Sequence, residues 1–306
     1  MLSRLHEEII KGGHMSAANN KFAVLLKPGE IQPAIARAAQ YAHFEPSIDV
    51  TAVRIINEWK DGNEEDMKSR IRGEFELLRR KYPAIKNFNL KIIFDKDVAQ
   101  GFADECNNGD YVLAVISANK RNTIKDLFIS PVDSGIMKKC RVPLLVVNDV
   151  NSQSVLGKTV LVAADLEESS RPESLDDKLV NAAKMLAEHF NGEVHIVNCV
   201  PFLNHGLMAG DVSLSKIAGS GMPERVDLHH RIVEEFAKKH DINPKCTHVV
   251  AGRIDEEIPR ISKKLDARMV CMGASPSSSL FGNINSSGCE LVLEQIRGDL
   301  FIVTAD

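Results

Sequence analysis

The chain has 306 residues, 44% of them hydrophobic and 26% charged, which suits two soluble domains of ordinary size. Its net charge of −4 and pI near 6.2 argue against a basic nucleic-acid or membrane surface, so neither is expected as a partner. No run of about 18 apolar residues reads as a membrane span, and the charged start has no secretory core, so cytoplasmic residence is expected.

Residues 1–20 read as a leader. His14-Met15 resembles an added junction before a second start, which makes Met15 the expected first residue of the native chain. From there strand and helix alternate. Phe22–Leu26 is a short buried-type strand, Gln32–Phe44 an amphipathic helix and Ile48–Ile56 a strand. A charged helix over Glu64–Tyr82 stops before Pro83. Leu90–Phe94, Val98–Cys106, Tyr111–Ile116, Val132–Cys140 and Pro143–Val147 continue as strand, helix, strand, helix, strand.

A polar stretch from Asn148 to Gly157 follows, and the pattern then repeats. Strands are expected at Val160–Ala164, Val194–Val200, Thr247–Val250, Met269–Met272 and Leu300–Val303. Helices are expected at Asp176–Phe190, Glu224–His240, Glu256–Leu265 and Cys289–Ile296, with Asn191-Gly192 ending the first of them. The domains are therefore 21–148 and 158–306. Continuous apolar strands separated by helices predict an α/β fold, two tandem doubly wound parallel five-stranded sheets. In such sheets a ligand sits where the strand order reverses, at the carboxyl ends of the first and fourth strands.

Six cysteines are scattered without a CxxC pair, and the ten histidines are equally dispersed. Reduced core thiols and no metal are expected. There is no nucleophile elbow, HExxH or P-loop lysine, so no catalytic residue is assigned and an enzyme is not the favoured reading.

The candidate site lies in the second half. Met272-Gly273-Ala-Ser-Pro276 is followed after nine residues by Ser286-Ser287-Gly288, and Ser287-Gly-Cys-Glu290 is a capping box opening the last helix. A loop feeding a helix N-terminus presents free N–H groups and a positive dipole end to phosphate. Ala163-Ala164-Asp165 ends the first strand of this half, where Asp165 can accept from a base or a ribose hydroxyl. An ordinary capped helix and a turn aspartate fit the same spacing.

These strands and this loop resemble the universal stress protein superfamily, and the whole chain after about residue 21 resembles its tandem-domain subgroup. ATP-binding members of that family carry G-x2-G-x9-G-[S/T] at this place. On that frame the positions are Gly273, Pro276, Ser286 and Ser287, while Asp165 matches the strand-end aspartate that faces the nucleoside. The resemblance thus implies ATP or another adenine nucleotide, held by Ala163, Ala164, Asp165, Met272, Gly273, Ser286, Ser287 and Gly288. Pro276 donates no hydrogen bond and cannot take a glycine's positive φ, and Ser286 adds a Cβ, so weak binding is expected.

In the first half the same frame gives Ser117, Lys120, Ser130 and Pro131, with Lys27 replacing the aspartate. That half reads as structural. The resemblance implies a stress-response protein that is an intramolecular pseudo-dimer, with a further homodimer left open. Two alternatives stand beside it: a slow nucleotide hydrolase, and a scaffold or carrier of a lipid-like ligand. For the carrier, the loop Pro201–Pro223 sets Phe202, Leu203, Leu207 and Met208 among glycines, which suits a lid or a tether alike.

Overall fold

A computed structural model describes residues 20–118, 129–148, 159–166, 175–200, 222–274 and 288–304. Residues 1–19, Lys120, Pro276, Ser286, Ser287 and residues 201–221 of the long loop lie outside the described residues. Two compact units are formed, one from Met1–Leu156 together with Gly298–Asp306, the other from Gly157–Arg297.

The first unit runs β1 (Lys21–Leu25), α1 (Pro33–Phe44), β2 (Asp49–Ile56), α2 (Glu64–Lys81), β3 (Asn87–Phe94), α3 (Val98–Asn108), β4 (Leu113–Ser117), α4 (Pro131–Lys139) and β5 (Leu144–Val147). Its strands lie in the order β3-β2-β1-β4-β5, all parallel. β1 and β4 are buried along most of their length on both faces, which is why they read as unbroken apolar runs. α2 shows how the helices were legible. Ile71, Phe75 and Leu78 form its buried stripe, three acids open it, and three bases close it in accord with the helix dipole. Phe75 meets Phe88 of β3 edge-on, ring centroids 4.6 Å apart. β3 begins three residues earlier than the sequence suggests. Asn87 and Asn89 look like turn residues, yet the Asn87 amide donates to Asp49 of the neighbouring strand at 2.6 Å.

The second unit contains β6 (Thr159–Ala163), α5 (Leu175–His189), β7 (Glu193–Val200), α6 (Met222–Lys239), β8 (Thr247–Ala251), α7 (Ile254–Lys264), β9 (Met269–Ala274) and α8 (Gly288–Gln295). The parallel order is β9-β6-β7-β8. After α5 the left-handed residue is Asn191, with φ of 51°, and Gly192 donates to the Ala187 carbonyl at 2.7 Å. Among the described residues no helix is long and apolar enough to cross a membrane.

The last strand, β10 (Asp299–Thr304), belongs to the first unit, although it is the fifth strand of the second repeat. It lies antiparallel to β5, with Leu300 opposite Val146 and Ile302 opposite Leu144. Periodicity identifies a strand here but carries no information about its neighbour. Polar anchors hold both ends. The Thr304 hydroxyl donates to the Arg141 carbonyl at 2.9 Å, and Asp299 accepts from the Asn148 N–H at 3.0 Å. Arg37 of α1 reaches Asp299 at 2.7 Å, both side chains being at most 3% exposed.

Breaking one partner of a buried pair leaves an uncompensated charge and costs about 3–5 kcal/mol. Arg37→Met is therefore expected to lower the unfolding free energy of the first unit by that amount, read as a fall in its urea midpoint. The one tryptophan, Trp59, packs on Phe94 within this unit and reports the transition by fluorescence.

Candidate functional site

Strand order reverses beside β1 in the first unit and beside β6 in the second, so the two equivalent sites are the carboxyl ends of β1/β4 and β6/β9. They are built very differently.

In the first unit Lys27 follows β1, and its ammonium donates to the Ser117 carbonyl and to Asp133 Oδ1, the latter at 3.0 Å. Asp133 is fully buried in the first turn of α4, and Lys27 is 17% exposed. Ser130 caps that helix by accepting from the Asp133 N–H at 3.1 Å, with Pro131 comfortable as its first residue. Ser117 turns its hydroxyl to the start of α1 and accepts from the Ala34 N–H at 2.9 Å. α1 has no side-chain cap of its own, because Gln32 folds back to donate to the carbonyls of Lys27 and Gly29, both at 2.7 Å. The helix end where an anion would bind thus carries the chain's own carboxylate, matched by the chain's own lysine.

In the second unit β6 and β9 run in register, Ala163 beside Met272, so Asp165 and Gly273 emerge on adjacent strands. Ala164 has both backbone groups engaged. Its N–H donates to the Val197 carbonyl at 3.0 Å, and its carbonyl accepts from the Asn198 amide at 3.0 Å. Asn198 in turn pairs with His229 Nδ1 at 2.7 Å, a buried link from β6 through β7 to α6. Asp165 is exposed, and its N–H donates to Asp176 Oδ1 at 2.9 Å.

Gly273 is required for close packing: a Cβ there would stand 2.4 Å from Leu175 Cδ2 at the start of α5. Gly288 serves likewise, since its Cβ would stand 2.6 Å from Ile254 Cδ1 at the start of α7. Ala163, Ala164, Asp165, Met272 and Gly273 are thus brought to one end of the sheet, while Ser286 and Ser287 fall outside the described residues.

The sequence missed Asp176, which looks like any acid in a first helical turn. Burial pushes its carboxyl up to about 7, helped by the neighbouring carboxylates of Asp165 and Asp177 and opposed by the Asp165 N–H. Asp177 beside it is matched by Lys239 at 2.7 Å and His240 at 2.6 Å. The six thiols are all free, as the scattered spacing suggested, and burial pushes Cys199 and Cys289 up to about 12. A group of side chains at the opposite end of β7 and β8 was also missed, because its members are distant in sequence: Glu193, His195, Cys246 and His248.

Residues 157–303 match the family model described as Universal stress protein family. The chain is 25% identical to the Universal stress protein E homolog of Haemophilus influenzae over 212 residues, 68% of this chain and 67% of that protein. It is 24% identical to Universal stress protein E of Escherichia coli over 220 residues, 71% of this chain and 68% of that one. Among solved structures, a functionally unknown protein from Pseudomonas aeruginosa superposes with a TM-score of 0.70 at 17% identity, over 94% of both chains. A universal stress protein from Archaeoglobus fulgidus gives 0.68 at 15% identity, over 94% of this chain and 98% of that one. These two show the fold.

Two outcomes are expected. Lys27→Met removes the ammonium that faces the buried Asp133 carboxylate and lowers first-unit stability by about 3 kcal/mol or more, whereas Lys27→Met with Asp133→Leu costs much less; urea unfolding of the single and double variants measures the difference. For Asp176 the folded carboxyl holds its proton to higher pH than the unfolded one. Its contribution is therefore lost as pH rises from about 4 to about 7, by up to roughly 4 kcal/mol. Asp176→Asn keeps an acceptor for the Asp165 N–H and is expected to flatten the stability–pH curve of the second unit across that window, read by circular dichroism during urea unfolding.

Proposed function

Because residues 157–303 match the Universal stress protein family model and the chain is similar to E-type members of that family, we propose that it is a universal stress protein with a cytoplasmic stress-response role, whose second unit binds an adenine nucleotide or a nucleotide-like small molecule weakly. The first unit, on this reading, is structural. The observation that carries the proposal is the contrast at the two strand ends. Lys27 and Asp133 pair with each other in the first unit, whereas Asp165 stands exposed beside Gly273 in the second.

Asp165 has the reach for a nucleoside hydroxyl or exocyclic amine, and its backbone is held in place by Asp176. Weakness follows from chemistry. The motif glycines give way to Pro276 and Ser286, and losing one hydrogen bond to a charged phosphate costs about 1.5–3 kcal/mol. The paired acids Asp165 and Asp176 also repel a polyphosphate brought too close, so the nucleoside end is better suited to them than the phosphate end.

Calorimetric titration of the full chain with ATP, ADP and AMP tests this. Saturable heat is expected with at least one of them, and Asp165→Ala should weaken it about tenfold or more. Lys27→Ala should leave it unchanged. No heat with any of the three up to millimolar concentration would remove the nucleotide and leave a family member without this ligand.

A further inference from the structure

We propose that the amino ends of β7 and β8 form a transition-metal site, of a chemistry suited to Zn²⁺, in which Glu193, His195 and Cys246 are the ligands and His248 orients His195. This site is at the end of the second unit's sheet opposite Asp165, and it does not depend on the nucleotide reading.

Strand geometry assembles it. Glu193 and His195 are two apart on β7, so their side chains leave the same face of the sheet. The parallel register pairs Ile196 with Thr247; one residue earlier this sets Cys246 beside His195, and one residue later His248 lies on that same face. Four donor groups, two on β7, one on β8 and one on the residue just before β8, the pairs more than fifty residues apart in sequence, are thereby put next to one another.

The distances are those of a site that needs only small adjustment. Cys246 Sγ is 3.0 Å from Glu193 Oε1, and His195 Nε2 is 3.3 Å from Glu193 Oε2. One atom from each of the three lies within 4.8 Å of the others. Tetrahedral Zn²⁺, with bonds of about 2.0–2.3 Å, holds its ligand atoms about 3.3–3.6 Å apart. His195 Nδ1 is 3.1 Å from His248 Nε2. When Nδ1 carries the proton and donates to His248, the lone pair of Nε2 faces the other two ligands, the usual way a neighbouring group fixes the tautomer of a metal-binding histidine. The rings of His195 and His248 are nearly parallel, 12° apart, which holds that orientation.

A thiol, an imidazole and a carboxylate select a borderline-soft ion and disfavour Ca²⁺ or Mg²⁺, which take oxygen ligands. Three protein ligands leave a fourth position for water or a small anion. The Cys246 thiol proton now points to the Glu193 carboxylate. Binding Zn²⁺ replaces that proton: the S–H bond breaks, the sulfur keeps the electron pair as thiolate bound to the metal, and one proton leaves to solvent. His195 and Cys246 are buried, while the Glu193 side chain is 61% exposed, so the ion reaches the site from the solvent side past Glu193.

The test uses the full chain stripped of metal with a chelator. Competition against a chromophoric chelator should give one Zn²⁺ per chain with a Kd of about 1 μM or tighter, and Co²⁺ should give a thiolate-to-metal charge-transfer band with intense four-coordinate ligand-field bands. Cys246→Ser should abolish the charge-transfer band and weaken Zn²⁺ about 100-fold. Glu193→Gln, an exposed change that spares the fold, should weaken it about tenfold, as should His248→Gln with the charge-transfer band retained. Asp165→Ala should leave metal binding untouched, which separates this result from that of the nucleotide titration. Absence of a one-to-one complex at this affinity, or affinity unchanged in both Cys246→Ser and Glu193→Gln, overturns the proposal.

Discussion

The carboxylate of Asp133 is fully buried at the start of α4, and the first unit cannot tolerate it there without a cation. Lys27 meets that need from the end of β1 and at the same time takes up the Ser117 carbonyl at the end of β4. Much else follows from this one ion pair. It joins the two strands at the point where the order reverses, and it leaves the Ser117 hydroxyl to cap α1. A doubly wound sheet must place polar groups at this point, because the strand ends and the helix N-terminus leave unpaired backbone groups there. The first unit does so with its own side chains.

The second unit meets the same demand with acids and amides. The Asn198 amide, itself held by His229, donates to the Ala164 carbonyl, and Asp176 accepts from the Asp165 N–H. Burial has driven the Asp176 carboxyl toward neutrality at physiological pH, so the local charge varies over a range where ordinary carboxylates are constant. Two copies of one pattern thereby reach opposite electrostatic solutions. A lysine closes one and an aspartate leaves the other exposed.

The elements themselves were legible because their signals are local. The stripe Ile71, Phe75, Leu78 and the cap at Ser130 depend only on neighbours in sequence. Lys27 was readable as a replacement for an aspartate, but its partner was not, since Asp133 looks like any acid in a first helical turn. Gly273 and Gly288 were read as ligand-facing, while their described surroundings are Leu175 and Ile254. Spacing alone cannot distinguish a glycine that admits a phosphate from one that admits a leucine. Glu193, His195, Cys246 and His248 were invisible for the opposite reason: their proximity is created by strand register, which no local pattern encodes.

β10 carries a consequence for how the protein is made. The ribosome delivers the first repeat early, and domains generally begin folding as they emerge. Here the outer edge of β5 waits until the second repeat has been made, because Leu300–Ile302 supply its hydrogen-bonding neighbour and Asp299 supplies the anion for Arg37. Until then the nascent first unit presents the open outer edge of an apolar strand, Leu144–Val147, and holds Arg37 without the Asp299 carboxylate. Completion waits on the second repeat: the first unit gains its last strand only after the whole of the second unit has been synthesised.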